Sequence, residues 1–194
     1  MTYEFRFYIN NKIQFRGILK SYRCFAMNEN GKKCRRMTCM GTKFCYSHLL
    51  YYKNLCIMKS TIPKAGKGLF CIVANTDERL LVFRKNQFII DYDGEIIKFD
   101  ELLERYGNTH TAPYGVVIDE KRGIYEDGAL RRGIGCFCNH STGENVNARL
   151  VVALNHIVVV ATKPIYNGDE IIINYGNLYE LNEKNVKYET VRIS

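Results

Sequence analysis

Gly168-Asp169-Glu170-Ile171-Ile172-Ile173-Asn174-Tyr175-Gly176 is the stretch on which the reading of this chain turns. A Gly-Asp-Glu turn opens it, a run of β-branched residues too short for a helix follows, and a Tyr-Gly pair ends it, the pattern of a short buried strand that delivers a tyrosine to its end. Runs of the same kind recur upstream at Gly68–Ala74, Gln87–Asp91, Gly94–Ile97, Tyr114–Asp119, Leu150–Leu154 and Ile157–Ala161, with 170–174 as the last. Turn chemistry separates them: Asp93-Gly94, Asn155-His156 and Tyr166-Asn167-Gly168. One helix is predicted over Phe99–Tyr106, with Asp100 as its N-cap and Gly107 as its stop, and a weaker one over Leu178–Asn185. The expectation is a mainly β fold of many short strands and few helices.

Length and charge divide the chain further. The 194 residues suit one medium domain with a small appendage, and 46% hydrophobic with 25% charged content is that of a globular chain. No stretch reaches the roughly 18 apolar residues of a membrane span. The alternation of charged and aromatic residues at Met1–Asn10 is unlike a secretory signal, so an intracellular protein without membrane contact is expected. Residues 1–59 hold 12 Lys+Arg against 2 Asp+Glu, whereas residues 60–194 hold 16 against 18. The division expected is a basic segment 1–59, a body 60–176 and a C-terminal lid or helix 177–194. A basic appendage suits phosphate or another acidic surface, although a merely solvated face has the same composition.

Four of the eight cysteines, Cys24, Cys34, Cys39 and Cys45, crowd the first quarter of the chain beside His48. Cys24-x9-Cys34-x10-Cys45-x2-His48 supplies three thiolates and one imidazole, a closed tetrahedral set suited to structural zinc. It looks like a small zinc-binding module found in diverse proteins. Cys39 has no place in that set unless it replaces Cys24. Lys32, Lys33, Arg35 and Arg36 beside it form a basic patch suited to DNA.

Three more stretches of the body carry chemistry. In Ala65-Gly66-Lys67-Gly68-Leu69-Phe70, two glycines let the backbone approach a ligand, although a tight turn before a strand reads the same and the third glycine of a dinucleotide loop is absent. Tyr92-Asp93-Gly94-Glu95-Ile96 is a turn between strands, and Tyr114 opens the run that follows it. Asn139-His140-Ser141, after Gly135-Cys136-Phe137-Cys138, sets a histidine beside an amide, a pairing that a structural histidine also satisfies.

Read together and in this order, the four stretches resemble the SET-domain protein lysine methyltransferases over nearly all of Ile62–Gly176. The resemblance implies a fold of short twisted sheets with a C-terminal pseudoknot. It also implies S-adenosylmethionine as methyl donor, held by Ala65, Gly66, Lys67, Gly68, Tyr114, Asn139, His140 and Tyr175. Tyr175 would be catalytic, and Tyr92 would line the channel for the substrate lysine. Relatives often carry arginine at the place of Cys136 and Tyr or Phe at the place of Ile173. Several close the site with cysteines after the tyrosine. Here Leu178, Tyr179, Leu181, Tyr188 and Val191 offer an apolar lid instead. The expected function is methylation of a lysine on a histone tail or nucleosome, in the nucleus rather than the cytoplasm. A non-histone substrate and a silent SET-like module that binds nucleic acid are the alternatives. The target lysine, the number of methyl groups and the oligomeric state are not written in the sequence.

Overall fold

Phe5 and Phe7 alternate with Glu4, Arg6 and Tyr8, and that period of two makes β1 (Thr2–Ile9) a half-buried strand. It turns at Asn10-Asn11, both with positive φ, into β2 (Lys12–Lys20), which pairs with it antiparallel. The computed structural model describes residues 2–27, 30–38, 42–109, 111–176 and 183–194. Next come a small hairpin bridged at Arg23↔Met37 and Met27↔Lys33, helix α1 (Tyr46–Lys53) and strand β3 (Leu55–Lys59). β4 (Lys67–Cys71) pairs with β3. β5 (Leu81–Phe83), β6 (Phe88–Asp91) and β7 (Glu95–Lys98) lead to helix α2 (Phe99–Tyr106), then β8 (Gly115–Asp119) and β9 (Ile124–Asp127). A single 3-10 turn, Gly135–Phe137, precedes β10 (Asn139–His140), β11 (Ala148–Ala153), β12 (His156–Ala161), β13 (Ile165–Tyr166), β14 (Ile172–Ile173) and β15 (Val186–Arg192).

These strands form six small sheets rather than one large one: β15-β1-β2, β7-β9-β8, β11-β12-β6, β3-β4, β13-β5 and β10-β14. Each of the seven predicted runs overlaps a strand, and α2 has the predicted bounds. The predicted runs leave out β1, where aromatic residues alternate with charges, and also β2, β3, β5, β9, β10, β13 and β15. The sequence reading also missed α1, whose apolar residues do not gather on one face. The cap of α2 is a correction. Lys98, in extended conformation, occupies the N-cap position without a side-chain bond, and Asp100 lies in the first turn, where its charge still suits the helix dipole. The predicted helix over 178–185 falls largely outside the described residues. Its last part, 183–185, is a turn leading into β15.

Two cores position the site. Leu55, Leu69, Val159, Ile165, Ile171 and Ile173 fill the main one, which α1 enters through Leu49. Phe5, Phe7, Leu19, Tyr106 and Ala129 fill the other, sealing the β1–β2 sheet against α2. Arg105 on α2 is buried and paired with Asp127 at 2.7 Å, Glu101 at 2.5 Å and Glu95 at 2.9 Å. Tyr106 donates its hydroxyl to Asp127, so the charges are satisfied within the fold. Among the described residues no helix is long and apolar enough to cross a membrane.

Candidate active site and metal centre

β14 pairs in parallel with β10, Asn139 opposite Ile172 and His140 opposite Ile173. On its other side Asn147 donates to the Glu170 carbonyl at 2.7 Å and accepts from the Ile172 N–H at 2.9 Å. The segment 170–173 is therefore held between β10 and the loop that follows it, the crossing that a pseudoknot requires. This places Tyr175 beside the Asn-His pair. The Tyr175 backbone N–H donates to His140 Nδ1 at 2.9 Å, and its phenol donates to the Cys138 carbonyl at 2.9 Å. Its ring also lines a cavity.

That cavity measures about 400 Å³ and is lined mainly by apolar surface, with Tyr92, Tyr114, Cys136, Leu150, Ile173 and Tyr175 in its wall. Burial pushes the Tyr92 and Tyr175 phenols well above their ordinary value, so both stay protonated and neither is a general base. The Tyr92 hydroxyl donates to the Tyr114 carbonyl at 2.9 Å, fixing its ring as a wall. The Cys136 thiol, where relatives often carry arginine, donates to the Tyr92 carbonyl, and burial pushes it up to about 12. A guanidinium nonetheless reaches the site from elsewhere: buried Arg132 lies 3.9 Å over the Tyr114 ring.

Lys67, Gly68 and Asn139 gather around Glu170, and neither residues 65–68 nor Asn139 line the cavity. Glu170 accepts from Ser60 Oγ at 2.7 Å, the Thr61 N–H at 2.7 Å and Asn139 Nδ2 at 3.0 Å. Asn139 Nδ2 also donates to the Lys67 carbonyl at 3.0 Å. Burial works to raise the Glu170 carboxyl, but the bonds from Thr61, Asn139 and Ser60 together hold it below its ordinary value. A Cβ on Gly68 would stand 2.1 Å from Glu170 Oε1, so only glycine lets the loop close here. Among the described residues Asn139 Oδ1 receives no hydrogen bond and stays an open acceptor. The loop and the Asn-His pair are thus one cluster, joined to the tyrosine cavity through His140 and Tyr175.

The sequence reading did not single out Glu170, Asn147 or Arg132. Glu170 was visible only as part of a turn, and the other two carry no local signal. Tyr188, on β15, contacts Tyr114 edge-on at 6.3 Å, and it was anticipated only as lid material. Of the other proposed lid residues, Val191 lies on β15 opposite Glu4 of β1, and Leu178, Tyr179 and Leu181 lie outside the described residues, as does Cys39.

In the basic segment, ligand atoms of Cys24, Cys34, Cys45 and His48 all lie within 4.8 Å of one another. His48 Nδ1 stands 3.3 Å from both the Cys24 and the Cys45 sulfur. The sulfurs of Cys24 and Cys34 accept backbone N–H groups from Cys45 and Arg36. The spacing is that of tetrahedral edges around zinc, and sulfurs that accept such bonds suit thiolate ligands, so the group fits.

The SET domain family matches residues 69–176, more than half of the chain. The chain belongs to the SET-domain family. Among curated proteins, the histone-lysine N-methyltransferase EZH2 of Chaetomium thermophilum is 30% identical over an alignment of 135 residues that covers 64% of this chain and 8% of that protein. The histone-lysine N-methyltransferase SUV39H1 of Xenopus laevis is 32% identical over an alignment of 134 residues that covers 59% of this chain and 31% of that one. The crystal structure of the Chaetomium thermophilum polycomb repressive complex 2 matches with a TM-score of 0.53 at 27% identity, over 66% of this chain and 16% of the other. A form of that complex bound to S-adenosylmethionine matches with a TM-score of 0.51. This SET protein therefore spans less than a third of the length of these relatives. The match ends at Gly176 and begins at Leu69, so the β1–β2 sheet, β15 and the Cys/His group lie outside it.

Proposed function

We propose that this SET protein transfers a methyl group from S-adenosylmethionine to a lysine on a histone tail. The observation that carries the reading is the apolar, tyrosine-walled cavity joined through Tyr175 and His140 to the Gly-x-Gly loop. The donor, when bound, supplies an activated methyl group and a positive charge on sulfur. Residues 65–68, Asn139 and His140 would hold it, the open Asn139 Oδ1 suiting an ammonium. Tyr114 and Tyr175 would border it.

The chemistry asks little of acid or base. Free lysine titrates near pH 10.4, and the nucleophile must be the neutral amine. A dry, apolar channel disfavours the ammonium. Walls formed by Tyr92, Tyr114 and Ile173 supply that environment. The lone pairs of the Tyr175 hydroxyl then orient the amine, while its phenol remains protonated. Alignment of this kind is worth roughly 7–11 kcal/mol in well-oriented reactions. The C-terminal strand would close the site with Tyr188.

The relatives named histone-lysine N-methyltransferase support the substrate class, and with it a nuclear place of action. Cys24, Cys34, Cys45 and His48 would hold a structural zinc ion. The basic residues beside them would contact DNA. Transfer of labelled methyl from S-adenosylmethionine to histone peptides and nucleosomes tests the reading. Methylation of some histone lysine is expected, with a roughly 100-fold loss in Tyr175→Phe at retained fold. Equal activity in that variant would remove the mechanism.

A further inference from the structure

The hairpin that carries two of the proposed metal ligands has a second face with a use of its own. Its bridges pair Arg23 with Met37 and Met27 with Lys33, and Phe25 lies midway, across from Arg35. The pleat sends Cys24, Ala26 and Cys34 inward to the metal group, with Cys24 and Ala26 buried. It sends Arg23, Phe25, Met27, Lys33, Arg35 and Met37 outward, and all six are exposed. Phe25 and Met27 are each 57% exposed and Met37 41%. The Lys33 ammonium lies 4.9 Å over the Phe25 ring. Among the described residues Arg23, Lys33 and Arg35 form no salt bridge, and the one acid between 22 and 38, Glu29, lies outside the described residues.

Three large apolar side chains interleaved with three cations are not a scatter of single exposed residues. A face built for duplex phosphate alone needs only the cations, since the bases of a duplex already stack on one another. Unpaired bases expose flat aromatic surface and carry a phosphate at each step. They match a ring flanked by cations in both respects. We infer that the outer face of the 23–37 hairpin binds single-stranded nucleic acid, with Phe25 as stacking platform and Arg23, Lys33 and Arg35 on the phosphates. This sharpens the DNA contact proposed above and rests on it.

The test uses the full chain with its metal, and follows the anisotropy of labelled 15-mers of deoxythymidine and uridine, a 15-base-pair duplex and poly-L-glutamate. Both single strands are expected to bind several-fold more tightly than the duplex. Their log–log salt slope should be about −2, as three phosphate contacts give. Phe25→Ala should weaken single-strand binding about 5- to 100-fold while leaving thermal unfolding and methylation of a histone peptide unchanged. Phe25→Tyr should restore it. Duplex binding with no effect of Phe25→Ala would overturn the stacking role and leave the phosphate contact standing. No binding to any nucleic acid would remove both, and poly-L-glutamate bound as tightly as the single strands would make the face a general anion surface, overturning the inference.

Discussion

The backbone N–H of Tyr175 donates to Nδ1 of His140 at 2.9 Å, and that nitrogen accepts only when it carries no proton. Burial lowers the His140 pKa below its ordinary 6.5, which favours the neutral ring. The unfolded chain therefore takes up the proton more readily than the folded one. The bond's contribution is fully present above about pH 6.5 and is lost as pH falls through the lower folded value. Unfolding temperatures measured from pH 8 to pH 5 are expected to fall on the acid side, and less steeply in His140→Ala. An identical slope in that variant would assign the pH dependence elsewhere.

Glu170 gathers donors from two separate stretches, Ser60 and Thr61 before the glycine loop and Asn139 on β10. Glu170→Ala leaves those donors without their acceptor and is expected to cost about 1–3 kcal/mol. The loop is the proposed donor-binding element, so calorimetry should show weaker S-adenosylmethionine binding as well as a lower unfolding temperature. Glu170→Gln, which keeps an acceptor oxygen, should recover part of both. The carboxyl sits below its ordinary value, so its share of stability is present above the ordinary carboxylate range and lost as pH falls through the folded value.

How far sequence alone reached differs between regions, and the reason is physical. The body was legible because β-branched runs and fixed turns repeat a local pattern, and because Tyr92, Asn139, His140 and Tyr175 sit in ordered motifs. The Cys/His group was legible from spacing alone. What joins the pieces was not. The pairing of β1 with β15 links residues at opposite ends of the chain, as in Phe7↔Tyr188, and nothing local announces it. Arg132 reads as one more basic residue until its burial against Tyr114 is seen. Glu126 likewise reads as a charge inside a strand. It proves fully buried, accepting from the Gly94 and Ile157 N–H groups and so anchoring the turn after Tyr92.

The β1–β2 sheet lies outside the family match, yet it touches the site. The Phe5 ring packs edge-on against Tyr114 at 5.8 Å, and Arg132 donates to Thr190 on β15 at 3.2 Å. Phe5 is fully buried, so Phe5→Ala is expected to destabilise by about 3–5 kcal/mol. If the sheet only stabilises, methyl transfer well below the unfolding temperature will be unchanged. If it sets the Tyr114 wall, KM for a histone peptide will rise in Phe5→Ala while zinc content stays the same. The second outcome is expected, because Tyr114 packs directly on the deleted ring.

The metal group can be tested apart from the transfer reaction. Among the described residues the small cluster around it has Cys24, Ala26 and Cys45 as its buried members, too little apolar surface to hold the 22–38 hairpin in place. Ligand bonds must supply the rest, as they do where metal binding and folding are one process. Elemental analysis should find one zinc per chain, and Cys45→Ser should lower that content sharply. Chelation should expose the 22–38 hairpin to proteolysis before the body melts. The body should lose some stability too, since α1 enters the main core through Leu49, which is 2% exposed. A chain with less than half a zinc, or a hairpin equally resistant after chelation, would mean that these four side chains gather for packing alone.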